Sequence, residues 1–419
     1  MREALAGRPR ATLVRVNAVP PSNISRRRFL VGLPTAAALA TIGVRGDGRA
    51  EAFAPPDLAP SHLLAPSHLL APTDLAPNQG RWRMPAEETR HERTWMCWPS
   101  GRDIWGRALP EVQATIASIA LAIAANEPVT LLARPHQVRA ARAKVGADVE
   151  VVGAPVDDLW ARDTLPCFLL STASATAPAT LGAGRVRFNG WGHKQRHGGD
   201  RRLAGIVAEM LGVEVVDSGV VGEGGGLEID GAGTVLASES SWVNKNRNPD
   251  RSRADIEAAL LDLLGADRFL WVDGLAGKDI TDDHIDSQAR FASPTTIVLD
   301  RSAAGAPEDV WSKTAARTRA RLTAAATRSG EPYKIVDLVQ PESVRNDDAD
   351  FLATYLNYYV CNGAVIAPSF GDRAADERAH ATLSGLFPGR RVTQLDIDPL
   401  AAGGGGIHCA TQQQPALGA

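Results

Sequence analysis

The chain has 419 residues, enough for one large domain or two of medium size. Hydrophobic residues make up 44% and charged residues 22%, the balance of an ordinary soluble globular protein rather than a disordered or membrane-spanning one. A net charge of −3 and a pI near 6.3 supply no basic field for nucleic acid or an anionic membrane.

Near the N-terminus, Ser25-Arg26-Arg27-Arg28-Phe29-Leu30 has the order of a twin-arginine export signal. The apolar run behind it is broken by Gly32, Pro34 and Gly43, too short and interrupted for a membrane span. Small-residue cleavage sites follow at Ala50-Glu51-Ala52 and Ala52-Phe53-Ala54. Residues 1–54 are therefore expected to be a removed signal, with an extracellular or cell-envelope destination and no membrane contact after cleavage. Residues 55–80 contain Leu58-Ala-Pro-Ser-His-Leu63 and two further copies of that pattern. A proline every six residues excludes a regular helix or a paired strand, so this tract is read as an extended linker. His62 and His68 within it would hold a metal poorly.

From residue 81 to 419 the pattern is mixed α/β without a break. A helix is expected over 109–127, with Pro110 in its first turn and Val112, Ile116, Ile119 and Ile123 on one face. A strand at 129–133, a helix at 138–145 and a strand at 149–152 come next. Ser252 and Asp255 form a capping box for a helix reaching Leu264. Strands are expected at 269–272 and 295–299, a long helix at 310–328 and a strand at 335–338. Asn362-Gly363 signals a hairpin between strands at 358–360 and 364–367; a helix at 374–386 and a strand at 392–395 follow. Periodicity alone leaves a doubly wound sheet and a more symmetric arrangement both open.

Four cysteines, Cys97, Cys167, Cys361 and Cys409, stand far apart with no CxxC or zinc spacing. In an exported protein their even number permits two disulfides. Cys409 follows Gly403-Gly-Gly-Gly-Ile-His408, a run that suits a nucleophile held by a backbone passing close to a ligand; a loose tail is the competing reading. His284 and Asp286 lie two apart in Asp279-Ile-Thr-Asp282-Asp283-His284-Ile-Asp286 and would share one side of a strand. A histidine beside carboxylates suits a general acid, or alternatively part of a divalent-metal site, although no second histidine lies at ligand spacing. Asp157-Asp158-Leu159-Trp160-Ala161-Arg162-Asp163 offers a ring and carboxylates for a planar cation. Gly222-Glu223-Gly-Gly-Gly lacks the lysine and hydroxyl of a phosphate loop, and its acid would repel phosphate. The inventory fits covalent catalysis on a cationic planar group.

These motifs resemble those of the agmatine deiminases and the bacterial peptidyl-arginine deiminases of the Porphyromonas type. The matching segments run in family order: Met84-Pro-Ala-Glu87 with His91-Glu-Arg-Thr-Trp95; Trp160-Ala-Arg-Asp163; Phe188-Asn-Gly-Trp191-Gly-His-Lys194; Glu223-Gly-Gly; Asn246-Arg-Asn-Pro249; His284-Ile-Asp286; Asn357-Tyr-Tyr; Asn362-Gly-Ala-Val-Ile-Ala-Pro368; and Gly405-Gly-Ile-His-Cys409-Ala-Thr-Gln-Gln413. The resemblance implies the pentein fold, a five-bladed α/β propeller of ββαβ units forming a single catalytic domain over 81–419. It implies Cys409 as nucleophile, His284 as general acid and base, Asp163 and Asp286 as the guanidinium clamp, and Glu223 as the acid that orients His284. Trp160, Trp191, Asn357 and Asp283 would complete the substrate-binding set. No metal or organic cofactor is required.

Four positions depart from the family pattern: Leu165, Asp283, Ser287 and Gly406 stand where glycine, glycine, asparagine and asparagine are usual. Asp283 would add negative charge near the far end of a diamine-like substrate. The basic stretch Arg185, Arg187, Lys194 and Arg196 would instead suit a carboxylate. The implied reaction is agmatine to N-carbamoylputrescine and ammonia, a step of putrescine biosynthesis. Export favours an alternative, a secreted arginine or peptidyl-arginine deiminase forming citrulline. An exported guanidinium-binding protein without turnover is the reading from another class.

Overall fold

Five times among the described residues a strand pairs antiparallel with a neighbour, and a helix then leads to a third strand parallel to the second. The computed structural model describes residues 81–172, 178–346 and 351–418; the expected export signal and repeat linker lie outside them. Thr411–Pro415 pairs with His91–Cys97, and helix Leu109–Ala124 crosses to Val129–Ala133. Cys167–Ser171 pairs with Leu181–Arg185, and Leu203–Leu211 crosses to Glu214–Asp217. Leu227–Ile229 and Thr234–Ser238 are followed by Arg253–Leu264 and Arg268–Val272. Ala289–Ser293 and Thr296–Arg301 precede Val310–Thr323 and Lys334–Val339. Tyr359–Cys361 and Ala364–Ser369 precede Arg373–Leu386 and Arg391–Asp396. Each parallel pair needs such a crossover because a tight turn cannot join parallel strands.

Local chemistry accounts for most of these elements. Pro110 sits in the first turn of its helix, and Val112, Ile116, Ile119 and Ile123 are all buried. Ser252 and Asp255 satisfy each other's backbone N–H groups at the next helix start. Gly363 takes a φ of +72° at the expected hairpin. The helix expected over 310–328 ends at Thr323, and Ala326 then bridges Pro332 in a short return. His284 and Asp286 are not on a strand: His284 is extended and opens the single 3-10 turn Ile285–Ser287. Nor are there disulfides: all four cysteines are free and buried.

The polar strand Thr411–Pro415 carried no hydrophobic signal, yet it is buried throughout. Its side chains find specific partners instead of apolar ones. Gln414 accepts from the Trp95 indole at 2.9 Å, Gln412 donates to the Pro166 carbonyl at 2.9 Å, and Gln413 accepts from Arg162 at 2.7 Å. The chain's last strand is thereby fixed against its first long one.

Beside that closure lies a buried carboxylate, Glu127. It faces His91 Nδ1 at 3.0 Å, accepts the Asn362 amide at 2.7 Å and also accepts the Thr94 hydroxyl. Glu127→Gln leaves these donors mismatched in a dry site. It is expected to lower stability by about 3 kcal/mol, measured as a shift in the urea unfolding midpoint.

Candidate active site

The glycine run ends at the short 3-10 helix His408–Ala410, which holds Cys409 just before the final strand. A Cβ on Gly406 would lie 2.5 Å from Asn357 Oδ1, so only glycine lets these segments approach. Asn357 then holds Cys409 from two sides. Its Oδ1 accepts the Cys409 amide at 3.2 Å, and its Nδ2 lies 3.3 Å from Sγ. The thiol donates to Asp286 Oδ2 at 3.4 Å. Burial pushes the other three thiols up, Cys167 to about 11, which leaves them poor nucleophiles.

His284 is buried with its Nε2 3.2 Å from Glu223 Oε2 and its Nδ1 3.8 Å from Asp163 Oδ1. Burial alone would pull the imidazole pKa down. The charges of Asp163, Glu223 and Asp286 outweigh that and hold it above the usual range. Burial would raise the carboxyl of Glu223, but Arg247 and the His284 hydrogen bond keep it below its ordinary value. Gly225 marks where these groups converge. A Cβ there would stand 2.7 Å from His284 Nδ1, 2.8 Å from Asp163 Oδ1 and 3.3 Å from Asp286 Oδ2.

Two unusual turns place this cluster. At Gly190–His193 four successive residues have positive φ, including Trp191 at +55° and His193 at +63°. Left-handed backbone costs a side-chain-bearing residue about 1–2 kcal/mol. Here it brings the Trp191 indole N–H to Asp163 Oδ2 at 2.9 Å, while the Gly225 amide donates to Asp163 Oδ1 at 3.0 Å. The second turn is Asp282–Asp283, with φ of +59° and +69°, directly before His284. Asp282 Oδ2 accepts from Lys194 and Arg247 at 2.7 Å and from Asn246 at 2.9 Å. Arg247 also donates to both oxygens of Glu223 at 2.9 Å. One buried aspartate thus ties the turn bearing His284 to the partner of Glu223 and to the segment after Trp191.

Behind Asp286 lies a further ion network. His408 Nδ1 sits 2.8 Å from Asp286 Oδ2, and its Nε2 sits 2.9 Å from Glu87 Oε2. Arg290 and Arg162 reach the same Glu87 oxygen at 3.0 and 3.1 Å. Burial would raise the Asp286 carboxyl; His408 above all, with His284 and Arg290, pushes it down to about 2. Asp286 therefore stays ionised throughout the neutral range.

A cavity of about 180 Å³ opens onto Cys409, His284, Asp286 and Asn357. Its wall carries Asp279, Asp283, Asp300 and Asp309, with Trp311, and among the described residues no lysine or arginine. Asp163 and Glu223 stand behind His284. Trp191 acts on Asp163 rather than forming wall. Trp160 is not among the lining residues: it is buried against Trp105, and its indole donates to Asp158. The basic stretch does not converge on the cavity either. Arg185 and Arg187 pair with Asp217, Lys194 with Asp282, and Arg196 with Asp103. Arg247, Asp282 and His408 lay inside recognised motifs, but nothing in their spacing revealed their partners.

Residues 83–415 match the sequence profile of the Porphyromonas-type peptidyl-arginine deiminase family. A relative from Streptomyces coelicolor is 36% identical over 345 residues, covering 80% of this chain and 98% of its own. The agmatine deiminase of Stutzerimonas stutzeri is 33% identical, over 81% of this chain and 97% of its own. Among solved structures, the agmatine deiminase of Enterococcus faecalis superimposes with a TM-score of 0.75 at 26% identity, covering 81% of this chain and 97% of that one.

The electrostatics of His284 give a direct test. Glu223→Gln removes a negative charge that raises the imidazole pKa. Its pKa should fall, leaving less imidazolium at neutral pH. Histidine NMR titration, assigned with His284→Asn, reads the shift; an unchanged His284 titration would refute the pairing.

Proposed function

The chain belongs to the Porphyromonas-type peptidyl-arginine deiminase family, and from that premise we propose that it is a hydrolase of amidine C–N bonds whose substrate is agmatine, released as N-carbamoylputrescine and ammonia. The observation that carries the substrate is the wall of the cavity ending at Cys409, which has four carboxylates besides Asp286 and no lysine or arginine among the described residues. A cationic amine tail is attracted to such a wall. The carboxylate of arginine is repelled by roughly 4 kcal/mol for each charge met at about 4 Å. Asp283, buried beside His284, contributes to that field. Relatives named agmatine deiminase support the reading.

The proposed chemistry assigns each of these groups a step. Asp163 and Asp286 clamp the guanidinium in plane, so its central carbon becomes a fixed target for Cys409 Sγ. The thiol faces Asp286 Oδ2 at rest; as the cationic substrate arrives and neutralises the clamp, the thiol proton passes to water and leaves the thiolate. Sγ bonds to the carbon, the C=N electrons move onto nitrogen, and His284 protonates the departing amino group, which leaves as ammonia. A thiouronium remains on Cys409. His284, now neutral, takes a proton from water as its oxygen attacks the same carbon. Collapse expels the thiolate, which takes up the remaining hydroxyl proton through water, and yields the product with its neutral ureido group. Glu223 keeps the imidazole oriented in both steps, and Asn357 holds the sulfur.

We read the five ββαβ sheets as blades of a closed five-bladed propeller, supported by their common strand order and by the pairing of Thr411–Pro415 with His91–Cys97. Export by the twin-arginine route is likewise proposed, on the sequence Ser25-Arg26-Arg27-Arg28-Phe29-Leu30. A citrulline-forming enzyme is the second reading, favoured by the family's description and by export. It lacks a basic residue in the cavity wall.

Ammonia release from agmatine, arginine and a peptide ending in arginine decides among these readings. Agmatine is expected to be turned over at least about a hundredfold more efficiently than the other two. His284→Gln should lower kcat by about a hundredfold or more. Cys409→Ala should abolish turnover and retain binding. A wild-type protein that binds agmatine but releases no ammonia would instead establish the inactive binder. Separately, Arg26→Lys with Arg27→Lys should leave the unprocessed chain in the cytoplasm, as read by cell fractionation.

A further inference from the structure

Asp286 has to do two things at one oxygen: face the thiol and present a fixed edge to the guanidinium. Its Oδ2 takes the Cys409 S–H at 3.4 Å, Asn357 Nδ2 at 3.3 Å and His408 Nδ1 at 2.8 Å. The His408 contact is the shortest of the three and comes from the side away from the cavity, since His408 does not line it. The ring is buried, and its other nitrogen meets Glu87 Oε2 at 2.9 Å. Glu87 in turn is held by Arg290 and Arg162, both buried. The imidazole is thus pinned at both ends, between a catalytic carboxylate and an anchored structural one.

The shape of the ring matters. Two nitrogens on opposite edges let one rigid side chain meet a polar partner in both directions. A hydrogen bond to a charged group is also worth more than a neutral one. The ring therefore fixes the Asp286 carboxylate and favours its ionised form. The groups facing Asp286 are His408, Cys409 and Asn357 from the C-terminal and Asn357 segments, His284 from its own turn and Arg290 from strand Ala289–Ser293. Of these only His408 combines a short contact with an anchor of its own on the far side.

We propose that His408 is a positioning residue for the reaction: through its Nδ1 it orients the Asp286 carboxylate against both the guanidinium and the Cys409 thiol, with Glu87 as its anchor. This rests on the reading of Asp286 as half of the guanidinium clamp.

Two polar replacements separate positioning from simple structural support. In His408→Asn the amide nitrogen takes the place of Nδ1 and keeps the donor to Asp286, while the link to Glu87 is lost. In His408→Gln the longer amide reaches toward Glu87 and leaves Asp286 without its donor. Asn is expected to keep KM for agmatine within about threefold of wild type, and Gln to raise it about tenfold or more. In the Gln variant the acidic limb of kcat/KM should also move to higher pH, because Asp286 loses its strongest support for ionisation. Melting temperatures of both variants report folding separately. If Asn is as impaired as Gln, or if Gln leaves KM and the acidic limb unchanged, the proposal is overturned and His408 serves only the ion network. Agmatine affinity measured by calorimetry on a Cys409→Ala background gives the same comparison without turnover. A wild type that releases no ammonia from agmatine would therefore defeat the functional reading, while the affinities of the two variants still decide the role of His408.

Discussion

The constraint on which this structure depends is the burial of three carboxylates, Asp163, Glu223 and Asp286, around one small volume. Unpaired, such groups would take up protons or unfold the site. Each is instead assigned donors from a different part of the chain: the Trp191 indole and Gly225 amide for Asp163, Arg247 for Glu223, and His408 for Asp286. The negative field that survives raises the pKa of His284 and favours its protonated form. Catalytic and structural electrostatics are here the same set of contacts.

Meeting that constraint costs backbone strain. Trp191, His193, Asp282 and Asp283 all occupy left-handed conformations that a side chain disfavours. They are retained because the surrounding hydrogen bonds over-determine them. Ser240 and Ser238 donate to the carbonyls of Asp282 and Asp283 at 2.6 Å, and the Gly277 amide donates to Asp282 Oδ1 at 2.8 Å. Lys194, a candidate anion receptor when viewed as part of a basic stretch, belongs to this scaffold. Its charge neutralises Asp282 and is not available to a substrate carboxylate.

The frame that carries these turns is repetitive, and the site is not. Each sheet repeats one strand order, yet the catalytic groups come from segments between repeats or at their starts. Loops can supply such groups because the packed sheets beneath them are rigid. The closing strand shows the same economy of position: Thr411–Pro415 follows Cys409 closely, so the pairing of that strand with His91–Cys97 also holds Cys409 in place.

The sequence by itself determined the elements whose information is local. The helix at Pro110, the capping box at Ser252 and the hairpin at Asn362-Gly363 were legible because period, cap and turn chemistry involve residues a few positions apart. The class of chemistry was legible too, since a cysteine after glycines, a histidine between aspartates and an acid among glycines are unusual neighbours. Only the tertiary structure decided how they meet. Strand Thr411–Pro415 is polar and gave no period; it is a strand because Trp95 and Arg162 donate to Gln414 and Gln413 while the Pro166 carbonyl accepts from Gln412. Trp160 looked like substrate wall from its neighbours, but its indole is turned inward to Asp158. His284 and Asp286 converge through a strained turn, not through strand alternation. Arg247 acts on Glu223, 24 residues away, and on Asp282, 35 away, and His408 acts on Asp286, 122 away. Such contacts depend on long-range packing, and no local pattern in a single sequence encodes which distant carboxylate a buried cation will meet.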